Sequence, residues 1–223
     1  AIAGLPAGAC GSAGESVSVQ PLSLSYTAQT VSEIRAGFSV GLHQNLGIGG
    51  AHGAQADFDA VRQNSQRRYT LLRASAQVAM PVAEWGVLAA RAQGQYSAKP
   101  LVPGELFGIG GAQSVRGFEE RELGGDSGAQ LSLEALSASF GESLLKQPGL
   151  DLRALLFADA GWVGNREGTP CLAGRSDCRM GSLGLGLRAG ASQWQLRLDI
   201  ARAMSTGSST QKGDVRAHVG FNA

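Results

Sequence analysis

The protein has 223 residues, a formal net charge of +1 and a mean hydropathy of −0.03, with 33 glycines and only 6% aromatic residues. The near-neutral charge excludes the basic surface that nucleic-acid binding requires, so we expect no nucleic-acid partner. The sequence also lacks a run of about 20 apolar residues, which excludes a membrane-spanning helix.

Apolar and polar residues alternate with a period of two along almost the whole chain, which predicts β-strands rather than helices. The first strand, at about 17–26, is less regular because Pro21 interrupts its ladder. Eight regular strands follow at 34–42, 69–78, 88–96, 130–135, 152–159, 182–189, 194–200 and 215–222. The sequence therefore predicts an all-β, antiparallel protein with about nine strands.

Along the regular strands, every charge falls on the polar phase of the alternation. These residues are Glu33, Arg35, Arg73, Arg91, Glu134, Arg153, Asp159, Arg188, Arg197, Asp199 and Arg216. The opposite phase is uncharged and mixes leucine with many alanines, which lipid tolerates but a closely packed core does not favour. Strands of this length also cross a bilayer when tilted. The pattern predicts a transmembrane β-barrel whose polar lumen carries a net charge of +3, from seven arginines and four acids.

The connections between strands alternate in length, as periplasmic turns and outer loops do in outer-membrane barrels. Residues 27–31, 81–84 and 190–193 form short links, whereas 43–67, 97–128, 164–181 and 205–214 form long ones. Two features fit less well: the link at 141–150 is longer than usual, and Arg202 falls on the lipid phase unless it lies at the rim. Bacterial barrels close with an even number of strands, so we expect further strands upstream of residue 1.

The three cysteines are too few for a disulfide scaffold. Cys171 and Cys178 lie in a stretch rich in Gly, Pro and Ser, where a disulfide would cap a loop in an oxidising compartment. The alternative is a pair of free loop thiols, and Cys10 is left as a free thiol or as the partner of an upstream cysteine. His43, His52 and His218 lack the spacing of metal ligands, so we expect neither a metal nor another cofactor.

The longest connection, residues 97–128, contains Val115-Arg116-Gly117-Phe118, followed by Gly125-Asp126-Ser127-Gly128. Further on, Phe157-Ala158-Asp159-Ala160-Gly161 lies on a predicted strand. These motifs resemble those of the outer-membrane transporters of two-partner secretion. The resemblance is to the hemolysin secretion/activation proteins of the ShlB/FhaC/HecB type, which belong to the superfamily of POTRA-bearing barrels.

The resemblance implies that residues 1–223 are the C-terminal part of one barrel of about 16 strands, with POTRA domains and more strands upstream. It also implies that the loop folds into the lumen, that Arg116 pairs with Asp159, and that Glu134 is a second candidate partner. Phe118 would wedge against the inner wall. As an alternative, Arg116 is a solvated loop arginine and Glu134 a bystander.

The function implied is passive export of an unfolded, hemolysin-like or adhesin-like exoprotein from the periplasm, without catalysis. The other implied partners of this monomeric barrel are the lipid and lipopolysaccharide of a Gram-negative outer membrane. One alternative is a barrel-assembly protein of the same superfamily, and another is a soluble, secreted β-rich protein. The segment around Ser127 also resembles that of a trypsin-like protease, but His43 and His52 lack the context that such a catalytic histidine has.

Overall fold

In a computed structural model, which describes residues 16–30, 32–167 and 169–222, the chain is an all-β protein. Nine strands form one antiparallel sheet and two short ones form a separate hairpin. The strands are β1 (Pro21–Gln29), β2 (Arg35–Asn45), β3 (Thr70–Val82), β4 (Gly86–Ser97), β5 (Phe107–Ile109), β6 (Leu123–Gly125), β7 (Ser127–Ser137), β8 (Asp151–Gly164), β9 (Asp177–Ala191), β10 (Trp194–Ala203) and β11 (Val215–Asn222). The nine predicted strands are confirmed. Cys10 lies outside the described residues.

The large sheet is a meander in which each strand pairs with its neighbour in the order β1-β2-β3-β4-β7-β8-β9-β10-β11. The register places Ser132 opposite Asp159, and Asp159 opposite Ser182, so their side chains share one face. The β5–β6 hairpin lies between β4 and β7 in sequence but outside this sheet. We call residues 98–126, which contain the hairpin, the lumen loop.

One face of the sheet is an exposed apolar surface, and the lumen loop packs against part of the other face. On the apolar face, for example, Leu24 is 78% exposed, Leu133 48% and Leu185 61%. An apolar surface of this extent is unfavourable in water but suits lipid. We call the opposite, polar face the lumen face.

Long and short connections lie at opposite ends of the sheet, as predicted. The outer end, where β4 passes into the lumen loop, also carries the connections β2–β3, β8–β9 and β10–β11. Arg202 is the next-to-last residue of β10 at this end and is exposed, so it reaches the rim. Among the described residues, no helix is long and apolar enough to cross a membrane.

Two short α-helices, and one 3₁₀ turn at Pro103–Glu105 in the lumen loop, were not predicted, because each is too short to show a helical period. Helix α1 (Gln55–Val61) lies in the β2–β3 connection, and the Asp57 side chain accepts a hydrogen bond from the Ala54 N–H at its start (2.8 Å). Helix α2 (Gly141–Leu145) explains why the β7–β8 turn is longer than usual.

Several details of the sequence-based assignment were wrong. The first strand begins at Pro21 instead of being interrupted by it, because the first position of a strand tolerates proline. Glu33 lies in the β1–β2 turn and not on a strand, whereas Asp151 begins β8 on the polar phase. One acid is lost from the polar phase and another is gained, so its net charge remains +3. At the outer end of β9, Arg179 lies off the polar phase.

Candidate functional site

The lumen loop leaves the outer end of β4 and folds back against the lumen face. At its tip lies the tetrad Val115-Arg116-Gly117-Phe118, with Gly117 at φ +93°. The Gly117 N–H donates to Nε2 of His218 on β11 (3.2 Å), and a Cβ at Gly117 would lie 3.2 Å from Cβ of Ala201 on β10. Glycine meets both demands, since it adopts positive φ without strain and has no side chain.

Arg116 is buried, with 3% of its surface exposed, and its main partner is Asp159 on β8. Its Nε and Nη2 donate to the two carboxylate oxygens of Asp159 at 2.7 and 2.8 Å, and its backbone N–H adds a bond of 3.1 Å. Nη2 also donates to Oγ of Ser132 on β7 (3.1 Å). This is the fork-to-carboxylate geometry that makes an arginine pair both strong and directional.

Four further charged residues extend this pair into a network. Nη1 of Arg116 lies 2.8 Å from Oε1 of Glu134 and 3.7 Å from Oδ2 of Asp199. Arg91 lies 3.0 Å from Glu134, and Arg188 donates to both oxygens of Asp199 at 2.7 and 3.0 Å. With Asp159, the network has three arginines and three carboxylates. This balance offsets the desolvation that burying Arg116 alone would cost.

The strand segment Phe157-Ala158-Asp159-Ala160-Gly161 builds the wall beneath the tip. Alternate residues of a strand point to one face, so Phe157, Asp159 and Gly161 all face the lumen. The guanidinium carbon of Arg116 lies 3.5 Å from the centre of the Phe157 ring, a cation–π contact. A Cβ at Gly161 would lie only 2.9 Å from Cγ2 of Val115.

Phe118 is fully buried in an apolar cluster that joins the tip to the outer half of the sheet. Its other members are Ile109, Val115, Leu123, Val163, Cys178, Met180 and Ala203. Phe118, which we expected to wedge against the inner wall, therefore packs against residues of β8, β9 and β10.

Asp126, at the other end of the lumen loop, is also fully buried. Its carboxylate accepts hydrogen bonds from the N–H groups of Leu101 and Arg166, both at 2.8 Å, and forms an ion pair of 2.6 Å with Arg62. Sequence reasoning used this residue only as part of a motif. The role of Asp126 depends on contacts between its own segment and those of Leu101, Arg166 and Arg62. These segments are distant in sequence, so a local sequence pattern cannot predict that they meet.

Glu122 binds the lumen loop to the β10–β11 connection. Its carboxylate accepts bonds from the Thr210 hydroxyl (2.6 Å) and from the N–H groups of Ser209 and Thr210 (both 2.9 Å). The Glu119 N–H adds a fourth bond, also of 2.9 Å. Burial alone would raise the pKa of Glu122, but these hydrogen bonds outweigh it and lower the pKa from 4.5 to about 2.

The hydroxyl of Ser127 binds the backbone of a neighbouring strand. Its Oγ accepts a bond from the Ser97 N–H (3.0 Å) and donates to the Ser97 carbonyl (3.2 Å). His43 pairs with Ser23 on β1, and His218 contacts the loop tip. In the described part of the chain, the Ser127 hydroxyl therefore has no histidine as a hydrogen-bond partner and instead joins β4 to β7.

Cys171 and Cys178 form a disulfide across the β8–β9 connection. Cys178 is fully buried in the Phe118 cluster, and Cys171 packs against that cluster. Among residues 16–30, 32–167 and 169–222, no group of three or more His, Cys, Asp or Glu residues has the geometry of a metal site.

The structure thus brings together Arg116, Asp159 and Glu134, the three charged residues that the sequence analysis singled out. Asp199 was not named as a partner, although its place on the polar phase of β10 was a usable signal.

A family model for the haemolysin secretion/activation proteins ShlB/FhaC/HecB matches residues 15–189. Among solved structures, CdiB from Escherichia coli is similar to 93% of this chain, with a TM-score of 0.72 and 18% identity. BamA from Haemophilus ducreyi, solved without POTRA domains 1–3, is similar to 90% of it, with a TM-score of 0.63 and 16% identity. The matches span 37% of the CdiB chain and 42% of the BamA chain. A comparison with curated proteins finds no match.

The two structural matches show the fold, an antiparallel barrel portion, and the family model covers most of the sequence. The chain belongs to the ShlB/FhaC/HecB family of haemolysin secretion/activation proteins, which are located in the outer membrane of Gram-negative bacteria.

Proposed function

We propose that this chain is the barrel portion of a two-partner secretion transporter, which exports one unfolded partner exoprotein from the periplasm to the cell surface. The observation that carries the proposal is the buried Arg116, which holds the Val115–Phe118 tip inside the lumen through Asp159. In the full-length protein, POTRA domains would receive the exoprotein and a monomeric barrel would conduct it. The outer face would contact lipid and lipopolysaccharide.

The wall below the tip suits a sliding polypeptide. Arg153, Arg188 and Arg197 lie opposite one another on β8, β9 and β10, near the periplasmic end of the lumen face. Arg153 binds Asp151 and Arg188 binds Asp199, so this surface is polar but nearly neutral. A wall of this kind binds an unfolded chain weakly, which favours passage without an energy-consuming motor.

The arrangement also suggests how the loop takes part in export. Arg116 is held by side chains of three rigid strands, so the tip has one well-defined docked position. Undocking would leave the Asp159 carboxylate without its arginine, whereas Glu134 and Asp199 keep Arg91 and Arg188 as partners. Asp159 would then be available to basic segments of the moving chain. We infer that the docked tip sets the shape of the conduit, and that losing it impairs secretion more than barrel assembly.

The test uses the full-length transporter in its own bacterium, after deletion of the gene has identified the exoprotein that disappears from the medium. Arg116→Ala should lower secretion of this exoprotein at least about tenfold, because it leaves the buried Asp159 carboxylate without its charged partner. The barrel should still reach the outer membrane and keep its mobility shift on boiling. Arg175→Ala is the matched control, since Arg175 is an exposed arginine of the β8–β9 connection outside the Arg116 network, and it should leave secretion unchanged.

Unchanged secretion by Arg116→Ala would overturn the role assigned to the tip. The second candidate function, barrel assembly, is favoured by the fold shared with BamA. It predicts that gene deletion lowers the amounts of many outer-membrane proteins, whereas the transporter predicts the loss of one exoprotein. A soluble secreted protein would remain in the aqueous phase without detergent, which the exposed leucine-rich face argues against.

A further inference from the structure

The outer end of the lumen carries a second buried ion pair, which lies apart from the Arg116 network. Arg62 follows α1 in the β2–β3 connection, and its side chain is 10% exposed. Its Nη1 donates to Asp126 Oδ1 and to the Leu101 carbonyl, both at 2.6 Å. Its Nη2 donates to Asp126 Oδ2 (3.3 Å) and to Oδ1 of Asn165 (3.2 Å). One guanidinium therefore contacts three separate segments of the chain.

Asp126 holds both ends of the lumen loop. Its Oδ1 accepts the N–H of Leu101, near the start of the loop, while Asp126 itself is the last residue of the loop. Its Oδ2 accepts the N–H of Arg166 from the β8–β9 connection, and its own N–H donates to Asn165 Oδ1 (3.1 Å). The carboxylate is thus the point where the roots of the loop and a neighbouring outer connection are joined.

Helix α1 lies on the lumen side of the outer end. Phe58 of α1 is fully buried and belongs to the same cluster as Tyr69, Leu71, Leu101 and Val102. Leu71 precedes the lumen-facing Arg73 by two residues on β3, so both side chains point to the lumen face. The α1 segment is therefore folded inward over the root of the lumen loop, and Arg62 fastens its C-terminal end there.

We propose that Arg62 and Asp126 are a positioning pair that fixes the root of the lumen loop and holds α1 over the outer end of the lumen. Separation of the pair frees α1 and opens this end to a chain that leaves the cell. The pair differs from the Arg116 network because the Asp126 carboxylate binds residues of the connections between strands, whereas Arg116 binds side chains on the face of the sheet. This inference rests on the proposed function only in taking the lumen as the route of export.

The experiment measures conductance of the purified full-length transporter in planar lipid bilayers, with KCl as the permeant salt. Arg62→Ala should raise the open probability about tenfold, because it removes one partner of a largely buried charge pair and releases α1. Arg68→Ala is the matched control, since Arg68 is an exposed arginine of the same connection. It should behave like the wild type.

Arg62→Lys tests positioning apart from charge, since an ammonium group keeps the charge but lacks the planar fork that reaches Asp126, Leu101 and Asn165 together. It should give an open probability between those of the wild type and Arg62→Ala. All variants are first checked for the mobility shift on boiling, so that only folded barrels are compared. If Arg62→Ala does not fold, Arg62→Lys decides the question.

A wild-type open probability in the folded Arg62→Ala barrel, or in Arg62→Lys when that variant alone folds, would overturn the proposal. Conductance requires no exoprotein, so this failure is distinct from a failure of the secretion hypothesis. Conversely, a raised open probability in Arg62→Ala would support the positioning role of the pair even if the transporter exported no exoprotein.

Discussion

The tip and the root of the lumen loop are each held by a buried carboxylate, but the two carboxylates bind different kinds of partner. At the tip, Asp159 projects from a central strand and binds the side chain and the backbone of Arg116. At the root, Asp126 binds two backbone N–H groups and Arg62, all from connections outside the sheet.

The difference lies in what must move to break each anchor. The acceptors at the tip are fixed by the ladder of the sheet, so only the loop itself can leave. At the root, the partners of the Asp126 carboxylate belong to connections, which move more easily than paired strands. We therefore expect the tip to leave the sheet as a unit while the strands stay in place. At the root, we expect the connections that meet at Asp126 to move relative to one another.

The largest effect should come from breaking the anchor at the tip. Asp159→Ala leaves Arg116 without the partner that accepts three of its bonds, at a cost of about 3–5 kcal/mol to docking of the loop. The measurement is the rate of limited proteolysis of the lumen loop in purified full-length protein. If the comparison holds, the Arg116→Ala/Asp159→Ala double variant should cost less than the sum of the single variants. Strict additivity would show that the two side chains act independently.

A smaller effect should follow from filling the space beneath the tip. The new Cβ in Gly161→Ala would press on Val115 and on Ile109 Cδ1, 3.1 Å away, so we expect a loss of about 1–3 kcal/mol in docking. Gly94→Ala on β4 is the control, because its nearest neighbour would be a carbonyl oxygen at 3.5 Å. Equal proteolysis rates in the two variants would contradict the close fit of tip to wall.

The smallest effect at neutral pH concerns Glu122, which adds a third contact on the outer side. Its pKa of about 2 lies below its ordinary 4.5, so its contribution is fully present above about pH 4.5 and is lost as the pH falls towards 2. The β10–β11 connection should therefore loosen in this acid window. A fluorophore on Ser208→Cys, in a Cys10→Ser background, would report the change.

In the same background, Glu122→Gln should remove the pH dependence and leave the connection loosened at every pH. A wild-type profile that is flat from pH 6 to 2.5 would contradict the role of this carboxylate.

The sequence alone was enough to predict the strands and their two unlike faces, because both follow from the alternation of apolar and polar residues with a period of two. It also predicted the alternation of long and short connections, because the spacing between successive strands gives their lengths. It also placed Asp159 and Glu134 on the polar phase, whereas the pairing of Arg116 with them was implied by the family resemblance that the tetrad carries. Only the tertiary structure decided that Asp199 completes the network and that Arg62 meets Asp126. Those contacts join residues between 64 and 83 positions apart, and they depend on how the loops pack rather than on any repeating pattern.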